Sequence, residues 1–258
     1  MIMQLRRFGL IQIFCCLGSS CLMAQPIQPP FLSPKSIPVQ RPASNLTLPV
    51  HPVVESAEEP SSTLPLRAQE ILKFWFGPLR GYSDYPTDQS AAWGAGSFTV
   101  NEQIRALFED DVKRAILGNY NVWRETPRGR LALILLLDQF PRNIYANSPR
   151  ALAADAMARG LVLEGIQRGD DLRLYPIERA FFYLPLKHAE DRGLQEHSVK
   201  LYQQLFNQSP ENLRPQMQAY LEDAKVHRNI IDRFGRFPNR NFILKRTSTP
   251  EEILYFNR

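Results

Sequence analysis

HRNIIDRFGRFPNRN, residues 227–241, is the stretch whose reading decides the fold. It begins as a helix, stops at Gly235, and runs on through a loop carrying Arg236, Asn239, Arg240 and Asn241 beside Phe234 and Phe237. A glycine in that position is a common helix terminator, because it enters the left-handed region without a Cβ clash. Nowhere else in the chain do so many polar side chains adjoin so many aromatic ones.

Upstream of this stretch the pattern is helical throughout. Ala68 to Phe76 sets Ile71, Leu72, Trp75 and Phe76 at one-turn spacing before Gly77-Pro78. Val100 to Leu117 places Val100, Ile104, Leu107, Phe108, Val112, Ala115 and Ile116 on one face, with Gly118 to end it. Leu131 to Leu137 is apolar on every side, which marks a helix at the centre of the domain. Pro185 should kink the segment that Tyr175-Pro176 opens, and Leu194 to Phe206 is amphipathic again. Serine or threonine before proline marks helix starts at Thr126, Ser148, Ser209 and Thr249, where a hydroxyl caps and proline takes the first turn. Thr249 and Glu252 stand at capping-box spacing. Alternating strand patterns do not occur, so the expected class is all-α, built of helical hairpins in about eight helices over residues 66–258.

The N-terminus reads differently. Arg6 and Arg7 precede an apolar run from Phe8 to Ala24, interrupted by Gln12 and by Gly18 to Ser20. The run is shorter than the ~20 residues of a spanning helix and has the layout of a signal peptide over residues 1–24. The expected location is therefore outside the cytoplasm, in the periplasm. An alternative is a membrane-tethered lipoprotein acylated at Cys21, so membrane association is expected only through the leader or that lipid. All three cysteines lie in the leader, which leaves the mature chain without disulfide, thiolate nucleophile or cysteine-bound metal. Its loss lowers the formal charge from +5 to +3. Residues 25–65 hold ten of the 21 prolines, as expected of a semi-rigid disordered tether.

The folded part resembles a bacterial family, domain of unknown function 924. The resemblance rests on FWFG at 74–77, TPRGRLALILLLDQFPRNIY at 126–145, ERAFFYLPLKHAED at 178–191, HRNIIDRFGRFPNRN at 227–241 and STPEE at 248–252. It implies a tetratricopeptide-like α-α superhelix and no established activity. Asn239 stands where the family usually has histidine, which removes a candidate acid–base group, and Lys245 where it usually has glycine.

Three polar clusters are candidates for chemistry: Asp138 with Arg142 and Asn143; Glu178 with His188, Glu190 and Asp191; and His227 with Arg236, Arg240 and Asn241. Helix ends far apart in sequence can converge on one concave site. In the functional reading the chain is a binding module, recognising a peptide or small anionic ligand through Asp138, Arg142, Asn143, Tyr183, Arg236, Arg240 and Asn241. Arginine grips a carboxylate or phosphate bidentately. The alternative is a hydrolase-type enzyme that moves protons through Glu178 and His188 or His227. The plainer reading makes the same residues buried ion pairs and caps. No metal or other cofactor is expected: the four histidines form no HExxH pair, and His188 and His197 share no helical face. A nucleic-acid partner is not expected either, since ordinary helix pairing such as Arg228 with Asp232 accounts for much of the basic C-terminal region.

Overall fold

The computed structural model describes residues 64–90, 93 and 98–256. The leader at 1–24, Cys21 and nearly all of the proline-rich 25–65 segment lie outside the described residues. No strand occurs among the described residues. Eight helices have seven residues or more: α1 (Leu66–Phe76), α3 (Phe98–Ile116), α4 (Pro127–Ile134), α6 (Asp155–Arg168), α7 (Pro176–Phe182), α9 (Arg192–Gln208), α10 (Arg214–Phe234) and α11 (Pro250–Phe256). Three short ones join them: α2 (Thr87–Ser90), α5 (Phe140–Ile144) and α8 (Leu184–Lys187). The all-α expectation holds, and none of these helices is long and apolar enough to cross a membrane.

The centre is the segment that the sequence makes apolar all round. Thr126 caps α4 by accepting from the Gly129 amide at 3.2 Å, with Pro127 in the first turn. Every side chain from Leu131 to Leu137 is buried. Burial of each such leucine or isoleucine contributes about 1.5–3 kcal/mol, well above the ~0.2–1 kcal/mol of an exposed ion pair. This rod, more than any surface charge, therefore sets the stability of the domain. Around it pack α1, α6 and α7.

Pro141 cannot donate to Leu137 and its ring would crowd the carbonyl there. Instead of ending at Asp138, the rod loosens into one π turn over Leu135–Gln139, with the Phe140 amide bonded to the Leu135 carbonyl, and resumes as α5.

The α9–α10 pair is an antiparallel hairpin. Arg192 Nη2 donates to the Asp232 carbonyl at 2.8 Å near one end, and Tyr202 stacks on Tyr220 further along. A turn of 3-10 helix, Glu211–Leu213, precedes α10, so the helix starts slightly later than Ser209-Pro210 suggested. Ser148-Pro149 likewise opens a 3-10 turn before α6 begins at Asp155. The expected apolar stripe of α3 is narrower than read: Leu107 and Ile116 face solvent. Asp111 turns inward instead, held by Arg67 Nη2 at 2.6 Å and the Tyr120 hydroxyl at 2.6 Å.

Past Gly235 (φ 69°) the chain makes a hook that carries Arg240 and closes with α11. Lys245 in that hook adopts φ 54°, the left-handed conformation that explains why glycine suits the position. That conformation costs an ordinary residue about 1–2 kcal/mol, against roughly 0.5–1 kcal/mol lost to the extra freedom of glycine in the unfolded chain. Lys245→Gly should therefore raise the unfolding free energy by about 0.5–1 kcal/mol, read as a higher urea midpoint with unchanged slope.

Candidate functional site

The π turn carries Asp138 into the interior, where its side chain is 0% exposed. A carboxylate there must be answered by several partners. Arg142, one turn on, reaches its Oδ1 at 3.1 Å, the Gln139 amide donates to Oδ2, and His188 Nδ1 lies 3.0 Å from both oxygens. Burial alone would raise the Asp138 carboxyl; Arg142 and His188 outweigh it and hold it far below the ordinary carboxylate range. Arg142 also forks onto Asp155 at the start of α6, at 2.9 Å to each oxygen.

His188 follows α8, the short helix created by the break at Tyr183-Leu184-Pro185. Gln195 fixes that turn by donating to the carbonyls of Lys187 and Ala189 at 2.6 and 2.7 Å. Since a carboxylate faces Nδ1, the Nδ1–H donates and neutral His188 presents a lone pair at Nε2. Burial, opposed by Asp138 and reinforced by Arg142 and Lys187, pulls His188 down to about 3. The imidazole is therefore neutral at ordinary pH.

The second histidine comes from α10. His227 Nδ1 donates to the Asp223 carbonyl at 2.8 Å and lies 3.4 Å from the Asp223 carboxylate. Lys187 also pairs with that carboxylate. Burial would raise the Asp223 carboxyl, yet Lys187 and His227 depress it strongly. The two imidazole centroids are 6.4 Å apart, with side chains 14% and 21% exposed. Nε2 of neither ring has a hydrogen-bond partner among the described residues.

Phe237 joins this pair to Arg240. Its ring meets His227 edge-on at 5.4 Å, and the Arg240 guanidinium lies over it at 4.4 Å. Arg240 is partly buried, yet among the described residues its guanidinium donates no hydrogen bond and forms no ion pair. Burial and the neighbouring Arg142 pull it down to about 10, against the attraction of Asp155 and Glu190. It stays charged at neutral pH, beside another guanidinium, with its donors free. The arrangement is a ring of contacts, from Asp155 through Arg142, Asp138, His188, His227 and Phe237 to Arg240, which acts electrostatically back on Asp155. No three His, Cys, Asp or Glu side chains come together to hold a metal among the described residues.

Residues 71–258 match the family described as Bacterial protein of unknown function (DUF924). The chain belongs to this family. A solved protein of unknown function from Agrobacterium tumefaciens, ATU0120, is similar: 35% identity, 74% of this chain and 96% of that one covered, TM-score 0.63. Comparison with curated proteins gives no significant match.

Within this DUF924 domain the residues singled out from sequence separate into two groups. Asp138, Arg142, His188, His227 and Arg240 converge. The others are fastened elsewhere. Glu178, expected beside His188, instead closes the capping box of α7 on the Tyr175 amide at 2.9 Å and pairs with Arg128 at 3.1 Å; burial raises its carboxyl. Tyr183, 0% exposed, cannot touch a ligand and donates its hydroxyl to Asp171 at 2.5 Å. Asn143 ties α5 to α3 through Asn101 at 2.8 Å. Arg236 is fully engaged, forking onto Glu252 at 2.6 and 2.9 Å. Asn241 is buried between Glu252, Ser248 and Arg246. Asp191 caps α9 at 2.9 Å, and Glu190 secures the hook by accepting from the Phe237 amide at 2.8 Å and from Arg246. Sequence reasoning missed Asp155, Lys187 and Asp223. Asp223 lies four residues before His227 on one helix, a spacing that could have revealed it; Asp155 gave no such signal.

The depressed His188 gives a pH test. Below the ordinary value of 6.5 the unfolded chain takes up a proton that the folded chain refuses until about pH 3. Stability from this group is thus present above 6.5 and is lost as pH falls through that window, at up to about 1.4 kcal/mol per pH unit. Urea unfolding over that range should show His188→Gln with a shallower fall than the parent.

Proposed function

We propose that this domain binds a small molecule or a peptide through one anionic group, a carboxylate or phosphate, held by Arg240 beside His227. The observation that carries the reading is the unpaired Arg240 guanidinium, half-sunk against Phe237 with Arg142 nearby. A guanidinium desolvated by burial and repelled by a like charge gains more from an arriving anion than one already engaged. The same logic removes Arg236 from the ligand contacts, because Glu252 already takes its fork.

Inorganic phosphate and acetate are the probes. Titration of either should shift the ring resonances of His227, and Arg240→Met should abolish the shift while moving Tm by no more than about 2 °C. An identical shift in the variant, or none in the parent, overturns the reading.

The proposal includes export on the proline-rich tether, supported by the sequence at 1–24. Expressed in a bacterium with a periplasm, the protein should begin at Gln25, or carry a lipid at Cys21 if it is anchored. Recovery of a cytosolic form still starting at Met1 would overturn export.

A further inference from the structure

The two imidazoles meet a ligand with the same chemistry. Asp138 accepts from His188 Nδ1–H, and the Asp223 carbonyl, which can only accept, takes the Nδ1–H of His227. Each neutral ring therefore presents a lone pair at Nε2, and neither Nε2 meets a donor among the described residues. Carboxylates stand on the Nδ1 side of both rings, Asp138 at 3.0 Å and Asp223 at 3.4 Å, which strengthens each outer nitrogen as an acceptor. Beside these two acceptors lies one group of free donors, the Arg240 guanidinium, reached from His227 across Phe237. An anion alone satisfies Arg240 and leaves both lone pairs without a donor.

The charges lead the same way. Asp138, Asp155 and Asp223 bring three negative charges to this place, and Arg142, Lys187 and Arg240 bring three positive ones. Glu190, the next carboxylate, is matched by Arg246. A bare anion adds an uncompensated charge to this balanced, partly buried set, whereas a ligand carrying both signs adds none.

Resting on the anion-binding reading above, we infer that the ligand is a zwitterionic α-amino acid, its carboxylate on Arg240 and its ammonium shared between His188 Nε2 and His227 Nε2. A hydroxyl has one proton and satisfies one ring, whereas an ammonium has three and satisfies both. One nitrogen donating two hydrogen bonds of about 2.9 Å joins acceptors up to roughly 6 Å apart, which suits rings whose centroids are 6.4 Å apart. A single carbon separates the two charged groups of an α-amino acid. That compactness fits the short path from His227 to Arg240, 5.4 Å and 4.4 Å from the Phe237 ring respectively. The planar carboxylate matches the guanidinium fork, and its one negative charge matches the one guanidinium left unpaired.

The test titrates the full chain with glycine, acetate and N,N,N-trimethylglycine, read by calorimetry. Glycine should bind at least about tenfold more tightly than acetate, the worth of one charge-assisted hydrogen bond or more. N,N,N-trimethylglycine keeps both charges but has no N–H to donate, so it should bind no more tightly than acetate. This comparison needs no variant and stands whatever a substitution does to folding. Arg240→Met should remove glycine binding. Glycine and acetate binding equally, both through Arg240, overturns the amino-acid assignment and leaves the anion site standing. Trimethylglycine matching glycine likewise overturns the role given to the two Nε2 atoms. Glycine binding that survives Arg240→Met, or no binding of glycine or acetate to the parent, sinks both readings.

Discussion

A carboxylate without water is the constraint on which the rest of this structure turns. Asp138 follows directly on the buried run Leu131–Leu137, carried into the interior by a π turn that Pro141 makes necessary. An unanswered charge at such depth would cost several kcal/mol, so partners must come to it from other elements. Arg142 comes from the same rod, His188 from the turn after a broken helix, and Asp155 balances Arg142 from the start of α6. Satisfying one charge thus fixes how three separate segments approach one another.

A second network does comparable work at the C-terminus. Glu252 gathers Arg236, Asn241 and the Thr249 amide, and hydrogen bonds led by Arg236 hold its carboxyl down to about 2. Glu190 gathers Arg246 and the Phe237 amide. These contacts engage two of the three arginines in the hook, Arg236 and Arg246, and leave Arg240. The site is defined less by the presence of arginines, which are plentiful here, than by the one that the hook leaves unmatched over an aromatic ring.

That distinction separates what was legible in the sequence from what was not. The Leu131–Leu137 core, the Thr126 and Thr249 caps, the Gly235 stop and the break near Pro185 follow from local patterns, and the structure has them all. Arg236 and Arg240 look alike in sequence, each near a phenylalanine. Their fates diverge because Glu252, sixteen residues beyond Arg236, happens to fold back onto one and not the other. Glu178 and His188 are ten residues apart on what reads as one segment, yet the break after Phe182 lies between them. Glu178 caps a helix while His188 meets Asp138, fifty residues upstream. Pairings across such separations are set by tertiary packing, which no local spacing encodes.

The order of these parts along the chain has a consequence for Arg240. Asp138, His188 and His227 are all made before Arg240, and the hook that holds Arg240 is pinned by Glu252 only a few residues from the end of the described chain. Arg240 thus depends on a clasp it takes no part in: loss of the Glu252 fork would loosen the hook that carries it while leaving the central rod and its buried carboxylate in place.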